Sequence, residues 1–199
     1  MTHAKICGIT RLEDAQLAAE LGAAFLGVVL WPNSPRATNL GFVRLLRRTL
    51  PKAGLVGVFV NPTAREVTEA YESGTRLVQI HGVVPEWVDY EPPVVIVRAR
   101  TLDQIGVKTS EREEFILLDA HDPVKHGGTG KTIDWARAAD VAKTRNVFLA
   151  GGLTPDNVRQ AIAQVKPFAV DVASGVESAP GVKDHDKLRA FMAAVKESV

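Results

Sequence analysis

The residues of this sequence that could do chemistry follow short apolar runs, apart from one aspartate that lies inside the last run. The only cysteine, Cys7, ends the first run and precedes Gly8. A lone cysteine has no partner for an internal disulfide, and it lacks the Cys/His clustering of a structural zinc site. Cys7 is therefore either a small buried hydrophobe or a reactive thiol.

Other polar residues and glycines occupy equivalent positions later in the chain. They are Arg36, His81, Arg98, Asp119, the pair Gly151-Gly152, Asp171 and the pair Ser174-Gly175. If the apolar runs are parallel strands of a barrel, all of these residues gather at its carboxyl-terminal mouth, where that fold places active sites.

The two glycine-containing pairs indicate an anion site. Gly151-Gly152 and Ser174-Gly175 follow the last two apolar runs, and loops seven and eight of such a barrel commonly bind phosphate. Glycines let the backbone approach an anion closely, and exposed N–H groups supply the donors. The alternative is that both pairs are only tight turns. We predict a phosphate site, and hence a small phosphorylated substrate.

Asp119 is the candidate acid. It ends the run 115–118, where desolvation would raise its pKa. An Asp with an ordinary pKa of about 3.9 is almost wholly ionised at pH 7, so acid catalysis needs such a shift. The alternative is a carboxylate that caps the following loop. The glycine-rich segment 127–131 in that loop suits a mobile lid or a phosphate cradle.

Three further side chains are candidates for the site, and each also has a possible structural role. The fork of Arg36 suits a planar carboxylate, and the alternative is a solvated loop arginine. His81 either serves the site or is a structural histidine with satisfied hydrogen bonds. Asp171 lies inside an apolar run, so we expect it to have a partner if it is buried.

Eight apolar runs must position these residues. They are rich in Val, Ile, Leu and Phe and show little polar alternation, which is typical of strands buried on both faces of a parallel sheet. The runs cover residues 4–6, 25–30, 55–60, 77–80, 94–97, 115–118, 147–150 and 168–173. Most gaps between them are long enough for a crossover helix.

Several gaps carry helix signals. Thr10 with Glu13 and Thr63 with Glu66 have the spacing of a capping box. The sequence 154–157 indicates an N-cap at Thr154 followed by a proline in the first turn. A last helix shows core-facing residues at 188, 191, 192 and 195, and short or irregular helices are expected over 85–93 and 101–114.

Eight strand and helix units without a linker predict an α/β protein with a single (β/α)8 TIM barrel of parallel strands. We expect one catalytic domain over residues 1–199, and a doubly wound open sheet is the alternative. The chain has 24 Lys plus Arg and 23 Asp plus Glu. It therefore lacks the excess of positive charge that would indicate a nucleic-acid or membrane partner. We expect a cytoplasmic location, because no segment has the length of a membrane span or the form of a signal peptide. We further expect a monomer or homodimer.

The ordered motifs resemble one family over essentially the whole chain, that of phosphoribosylanthranilate isomerases of tryptophan biosynthesis. The similar segments are Lys5-Ile6-Cys7-Gly8-Ile9-Thr10, Ser34-Pro35-Arg36, Val78-Gln79-Ile80-His81-Gly82, Leu117-Leu118-Asp119 with 127–131, 150–158, 171–177 and 180–184. Departures lie at loop edges, where Val83 and Val84 replace common acidic residues and Thr38 replaces an apolar one.

The resemblance implies an Amadori rearrangement of N-(5'-phosphoribosyl)anthranilate. By matching positions, Cys7 is the general base, Asp119 the general acid and Arg36 the anchor for the anthranilate carboxylate. His81 and Asp171 match positions that line the substrate site. No cofactor, metal or redox group is implied. A free thiol is mostly protonated at pH 7, and the closeness of Lys5 in sequence does not by itself lower the pKa of Cys7.

Two other classes of protein fit the same fold, another enzyme and a binding protein. A phosphoribosyl isomerase of histidine biosynthesis or a sugar-phosphate epimerase would be expected to use two carboxylates or metal ligands, which a Cys7 with a single Asp119 argues against. A phosphosugar-binding barrel without catalysis would bind its ligand and not turn it over. The fold alone does not distinguish among these functions.

Overall fold

Eight parallel strands close into a barrel in the computed structural model, which describes residues 1–84, 95–105, 115–119 and 133–198. The strands are β1 His3–Ile6, β2 Phe25–Val29, β3 Gly54–Val60, β4 Leu77–His81, β5 Val95–Arg100, β6 Phe115–Leu118, β7 Asn146–Leu149 and β8 Ala169–Val172. They follow one another around the barrel in chain order, and β1 pairs with both β2 and β8. This closure confirms the predicted TIM barrel and excludes the open sheet.

Helices connect the strands on the outside of the barrel. Those in the described part of the chain are α1 Leu12–Glu20, α2 Leu40–Thr49, α3 Ala64–Ser73, α4 Trp135–Ala142, α5 Val158–Val165 and α6 His185–Lys196. The apolar residues of α1, α2, α4, α5 and α6 share one core with outward-facing strand residues such as Ile6 and Leu26, and α3 packs on a second cluster with β3 and β4. The strands beneath these helices are buried on both faces, which explains their continuous apolar runs.

Three smaller elements complete the described chain. A 3₁₀ turn follows β5 at Leu102–Gln104, and another follows β8 at Ser174–Val176. A short antiparallel hairpin then pairs β9 Glu177–Ala179 with β10 Val182–Lys183. The turn after β5 confirms a short helix there, whereas 85–93 and 106–114 lie outside the described residues. The sequence did not predict the hairpin.

Of the three predicted helix starts, one is confirmed and two are wrong. The capping box of Thr63 and Glu66 is present at α3, and the core face of α6 is as predicted. The box predicted for Thr10 and Glu13 is wrong, because the N-cap of α1 is Arg11 and no described side chain caps the helix. Thr10 lies one residue before the N-cap, and its Oγ1 donates to Gly181 O in the hairpin.

The N-cap predicted at Thr154 is also wrong. Asn157 Oδ1 accepts from Thr154 N–H at 2.8 Å, and Asn157 Nδ2 donates to Gly152 O at 2.9 Å. Residues 154–157 therefore form a turn of their own, and α5 begins only at Val158. The amide of Asn157 ties this turn to the preceding glycine loop.

An aromatic cluster closes the amino-terminal end of the barrel. Phe25, Phe115 and Phe168 lie at or just before the starts of their strands, Phe148 packs against them from within β7, and His3 contacts two of the rings. Centroids of contacting rings are 4.9 to 6.3 Å apart, the range of favourable tilted and edge contacts. The candidate site lies at the opposite end. No helix among the described residues has the length and hydropathy to span a membrane.

Candidate active site

Cys7 and Lys5 share the interior face of the barrel. Cys7 directly follows β1, and its N–H donates to Val172 O at the end of β8. Lys5 lies two residues earlier, so both side chains point to the same face of the strand. A Cβ added at Gly27 would lie 2.9 Å from Cys7 Sγ and 3.2 Å from Lys5 Cε. The absence of a side chain at Gly27 on the neighbouring strand therefore leaves room for both groups.

Lys5 forms a buried ion pair with Asp171. Lys5 Nζ lies 2.9 Å from Asp171 Oδ1, and the side chains are 1% and 8% exposed. The two residues are opposite each other in the register of β1 and β8. This contact confirms the expectation that Asp171 is not buried without a partner.

The ion pair determines which charges act on the Cys7 thiol. Burial raises the pKa of Cys7, and the positive charge of Lys5 opposes that shift. Burial alone would lower the pKa of Lys5, but the charge of Asp171 and the interaction with Cys7 outweigh it, and the Lys5 pKa is raised. Lys5 therefore remains an ammonium ion beside a thiol that needs a cation to ionise.

Arg36 lies against the Cys7-Gly8 segment. A Cβ at Gly8, which has φ +71°, would lie 2.5 Å from Arg36 Cδ, so only a glycine allows this approach. The Arg36 guanidinium binds Glu177, with Nε 2.9 and 3.2 Å from the two carboxylate oxygens and Nη2 2.7 Å from one of them. Arg36 is thus held at the site by a carboxylate and is not a solvated loop residue.

Sequence reasoning assigned no role to Glu177 or Lys183. Lys183 is buried, and its Nζ donates to Glu177 Oε1 at 2.9 Å and to Cys7 O at 2.5 Å. Burial lowers the pKa of Lys183, and the neighbouring Glu177 opposes that shift. Both residues lie in segments that resemble the family, 171–177 and 180–184, but the hairpin that brings them to Cys7 was not predicted, so neither was assigned a role.

The two glycine loops lie side by side. Gly151 and Gly152 have φ of +86° and +63°, a region that glycine enters without strain. A Cβ at Gly175 would lie 1.9 Å from Leu153 O, so the loop after β8 touches the loop after β7. No carbonyl in the described ranges accepts from the N–H groups of Gly151, Gly152, Ser174 or Gly175. These donors are the chemistry that a phosphate requires.

His81 ends β4 within a network of neighbouring side chains. Its Nε2 lies 2.8 Å from Gln79 Nε2. Asn61 donates its N–H to His81 O at 3.0 Å, and Asn61 Oδ1 accepts from Val83 N–H at 2.7 Å. The loop after β3 thus fixes the backbone around His81, which gives the imidazole a defined position at the mouth.

Asp119 directly follows β6 at the same end of the barrel as Cys7. Its N–H donates to Arg100 O at 3.2 Å, and its side chain is partly exposed. The predicted lid or cradle at 127–131 lies outside the described residues. Among the residues that are described, no three His, Cys, Asp or Glu side chains cluster as metal ligands.

Comparison with known proteins agrees with this geometry. The model of the family described as N-(5'-phosphoribosyl)anthranilate (PRA) isomerase matches residues 4–194. The N-(5'-phosphoribosyl)anthranilate isomerase of Pseudomonas syringae pv. syringae is 45% identical over 200 residues, which cover 97% of each chain.

Solved structures give the same result. The crystal structure of phosphoribosyl anthranilate isomerase from Thermotoga maritima is 37% identical, with a TM-score of 0.82 over 99% of this chain and 100% of that one. A crystal structure of the isomerase with reduced 1-(o-carboxyphenylamino)-1-deoxyribulose 5-phosphate is 35% identical, with a TM-score of 0.78 over 99% of this chain and 100% of that one. The chain therefore belongs to the N-(5'-phosphoribosyl)anthranilate isomerase family.

Proposed function

We propose that the protein catalyses the Amadori rearrangement of N-(5'-phosphoribosyl)anthranilate to 1-(2-carboxyphenylamino)-1-deoxyribulose 5-phosphate in tryptophan biosynthesis. The observation that carries the proposal is the position of Cys7. The thiol lies at the mouth of the barrel beside the Lys5 ammonium, with Arg36 packed over the adjacent Gly8. A base and a carboxylate anchor are thus neighbours.

The proposed chemistry is general acid–base catalysis. Asp119, protonated, gives its proton to the furanose ring oxygen, and the C1–O bond breaks to leave a Schiff base between C1 and the anthranilate nitrogen. Cys7 as thiolate then removes the proton from C2. The electron pair of the broken C2–H bond forms a C1–C2 double bond, which gives an enolamine. Protonation at C1 and loss of the hydroxyl proton at C2 give the ketone. The overall change is an isomerisation that consumes no oxidant, reductant or metal.

Lys5 supports the proton abstraction. Because its ammonium remains charged beside Cys7, it stabilises the thiolate relative to the thiol. Asp171 holds that ammonium in place through the 2.9 Å ion pair. In this proposal Asp171 acts on the base through Lys5 as well as lining the substrate site.

The remaining predicted residues bind the two ends of the substrate. Arg36 takes the anthranilate carboxylate, and the N–H groups of Gly151, Gly152, Ser174 and Gly175 take the phosphate. His81, fixed by Asn61 and Gln79, lines the site between them. We further propose that the barrel acts as one catalytic domain, as a monomer or homodimer in the cytoplasm.

Freshly generated N-(5'-phosphoribosyl)anthranilate tests the activity. Purified protein should accelerate the loss of substrate fluorescence above the spontaneous rate, and borohydride reduction should give the compound that binds the solved relative, reduced 1-(o-carboxyphenylamino)-1-deoxyribulose 5-phosphate. Decay at the background rate in folded protein would contradict the proposal. Tight binding of that compound without turnover would instead indicate a binding barrel.

A further inference from the structure

Glu177 lies at the centre of a charge cluster that joins Arg36 to Lys183. Its carboxylate accepts three hydrogen bonds from Arg36 at 2.7 to 3.2 Å and one from Lys183 at 2.9 Å. The Glu177 side chain is 4% exposed and that of Lys183 is fully buried, whereas that of Arg36 is 21% exposed. Of the three side chains, that of Arg36 thus keeps the most solvent-accessible surface.

The hairpin that carries Glu177 also binds and orients its carboxylate. Gly181 N–H donates to Glu177 Oε1 at 3.2 Å, and Lys183 Nζ is bound to Cys7 O at 2.5 Å and Ala173 O at 3.2 Å. The chain of contacts therefore runs from the backbone of Cys7 through Lys183 and Glu177 to the Arg36 guanidinium. The orientation of that guanidinium is tied to the backbone of Cys7.

Arg36 keeps donors for a ligand after binding Glu177. A guanidinium has five N–H donors, of which Glu177 takes the Nε–H and one on Nη2. Nη1 donates to no atom within the described residues. The edge formed by Nη1 and the second hydrogen of Nη2 is the one that binds a carboxylate with two parallel hydrogen bonds.

The charges of the cluster do not balance. Burial alone would raise the pKa of Glu177, but hydrogen bonds from Arg36 and the charge of Lys183 outweigh it and lower the pKa, so the carboxylate is ionised. Two cations and one anion leave a surplus positive charge at a half-buried position. An added carboxylate neutralises that surplus without a second counter-ion.

We propose that Glu177 is a positioning residue that presets the outer edge of Arg36 for the carboxylate on the aromatic ring of the substrate. The inference rests on the proposed function, in which Arg36 is the carboxylate anchor, and it adds the group that sets the anchor. Without Glu177, a long flexible arginine would have to order itself during binding, which reduces affinity.

Calorimetric binding of two ligands tests this role. One ligand is reduced 1-(o-carboxyphenylamino)-1-deoxyribulose 5-phosphate, and the other is the same compound without its carboxyl group. Glu177→Gln should weaken the carboxylated ligand by about 10- to 100-fold, the size of a lost charge-assisted hydrogen bond. The ligand without the carboxyl group should bind as to the wild type. In turnover, KM should rise by a similar factor and kcat should change less.

The direction of the change in affinity in Glu177→Gln distinguishes a positioning role of Glu177 from a purely electrostatic one. Removing a negative charge beside Arg36 strengthens its attraction for anions, so tighter binding of the carboxylated ligand would overturn the positioning role. Equal weakening of both ligands would also overturn it, because it would indicate general damage to the site. If the wild type itself did not prefer the carboxylated ligand, Arg36 would not be the anchor, and the proposed binding mode would fail together with this inference.

Two further variants complete the experiment. Glu69→Gln removes the carboxylate of an exposed pair with Arg65 on α3 and should change neither binding constant. Glu177→Asp keeps a negative charge between the two cations but shortens the side chain, and it serves if Glu177→Gln does not fold. Glu177→Asp should lose affinity for the carboxylated ligand only. If it bound both ligands as tightly as the wild type does, the proposal would be overturned.

Discussion

Lys5 Nζ lies 2.9 Å from Asp171 Oδ1 inside the barrel, with the two residues opposite each other on adjacent strands β1 and β8. A buried ammonium needs such a partner, because desolvation without one would remove its charge. The pair therefore maintains a cation next to Cys7, on the same face of β1. The ionisation of the thiol depends on a group two residues away in sequence.

Replacing Lys5 should make Cys7 harder to ionise. The charge of Lys5 opposes the rise in thiol pKa that burial causes, so Lys5→Met should raise the pKa of Cys7 further. Because Cys7 is the only cysteine, the rate of alkylation by iodoacetamide reports this thiol alone. We expect the midpoint of the alkylation rate against pH to move to higher pH.

Lys52→Met is the control for this measurement, since Lys52 is exposed and should leave the alkylation profile unchanged. If Lys5→Met does not fold because Asp171 is left unpaired, Lys5→Met/Asp171→Asn removes both charges. The charge of Lys5 lowers the pKa of Cys7 by more than the charge of Asp171 raises it. The double variant should therefore also shift the midpoint of alkylation to higher pH. A midpoint equal to that of the wild type would contradict the role of Lys5.

Asp14→Asn should destabilise the fold in a pH-dependent way. The buried Asp14 carboxylate accepts from Arg11 at 2.6 and 2.9 Å, from Lys183 N–H at 3.1 Å and from His185 at 2.9 Å. Burial would raise its pKa, but these hydrogen bonds outweigh burial and lower the pKa below its ordinary value of 3.8. A lowered pKa in the folded state stabilises the protein above the unfolded pKa, and that stabilisation is lost as pH falls through the folded pKa.

Urea unfolding over a pH series measures this contribution. At pH 7 we expect Asp14→Asn to lower the free energy of unfolding by about 1–3 kcal/mol. The difference from the wild type should narrow as the pH falls below about 4. Asp140→Asn, which removes an exposed pair with Lys143, should change stability by less than about 0.5 kcal/mol. A loss for Asp14→Asn that stays constant down to pH 3 would contradict the account.

Gly175→Ala should damage the phosphate site. The new Cβ would lie 1.9 Å from Leu153 O, so the loops after β7 and β8 would have to separate. Displacing a substrate-binding loop by about 1 Å can cost on the order of 100-fold in kcat/KM, and we expect most of that loss in KM. Ser178→Ala, at an exposed position on β9, is the control. Steady-state kinetics with unchanged KM in Gly175→Ala would argue against phosphate at these loops.

The strands could be predicted because the barrel buries both of their faces. All eight apolar runs overlap a strand, and Cys7, Asp119 and Gly151 follow their strands at the carboxyl-terminal end as expected. Arg98 does not, because β5 continues beyond it and places Arg98 inside the strand. The partner of Asp171 was also implied, since a buried carboxylate in an apolar strand requires one. Local chemistry was sufficient for these features.

The contacts of Arg36 could not be predicted in the same way. Arg36 and Glu177 are 141 residues apart, and their pairing depends on a hairpin after β8 that no periodic pattern marked. Thr10 shows the same limit, because α1 begins one residue later than its capping-box spacing predicts and Thr10 instead binds Gly181 of the distant hairpin. Where a side chain has both a local and a distant partner available, sequence spacing identifies only the local one.

Turnover by Cys7→Ala and Asp119→Asn tests the central claim most directly. With freshly generated N-(5'-phosphoribosyl)anthranilate, wild-type protein should remove substrate fluorescence far faster than the spontaneous reaction. Each variant, shown by circular dichroism to be folded, should lose about 10²- to 10⁴-fold in rate, the usual contribution of a general acid or base. Wild-type turnover by Cys7→Ala would contradict the assignment of the base. A wild-type rate equal to the background would contradict the proposed reaction itself.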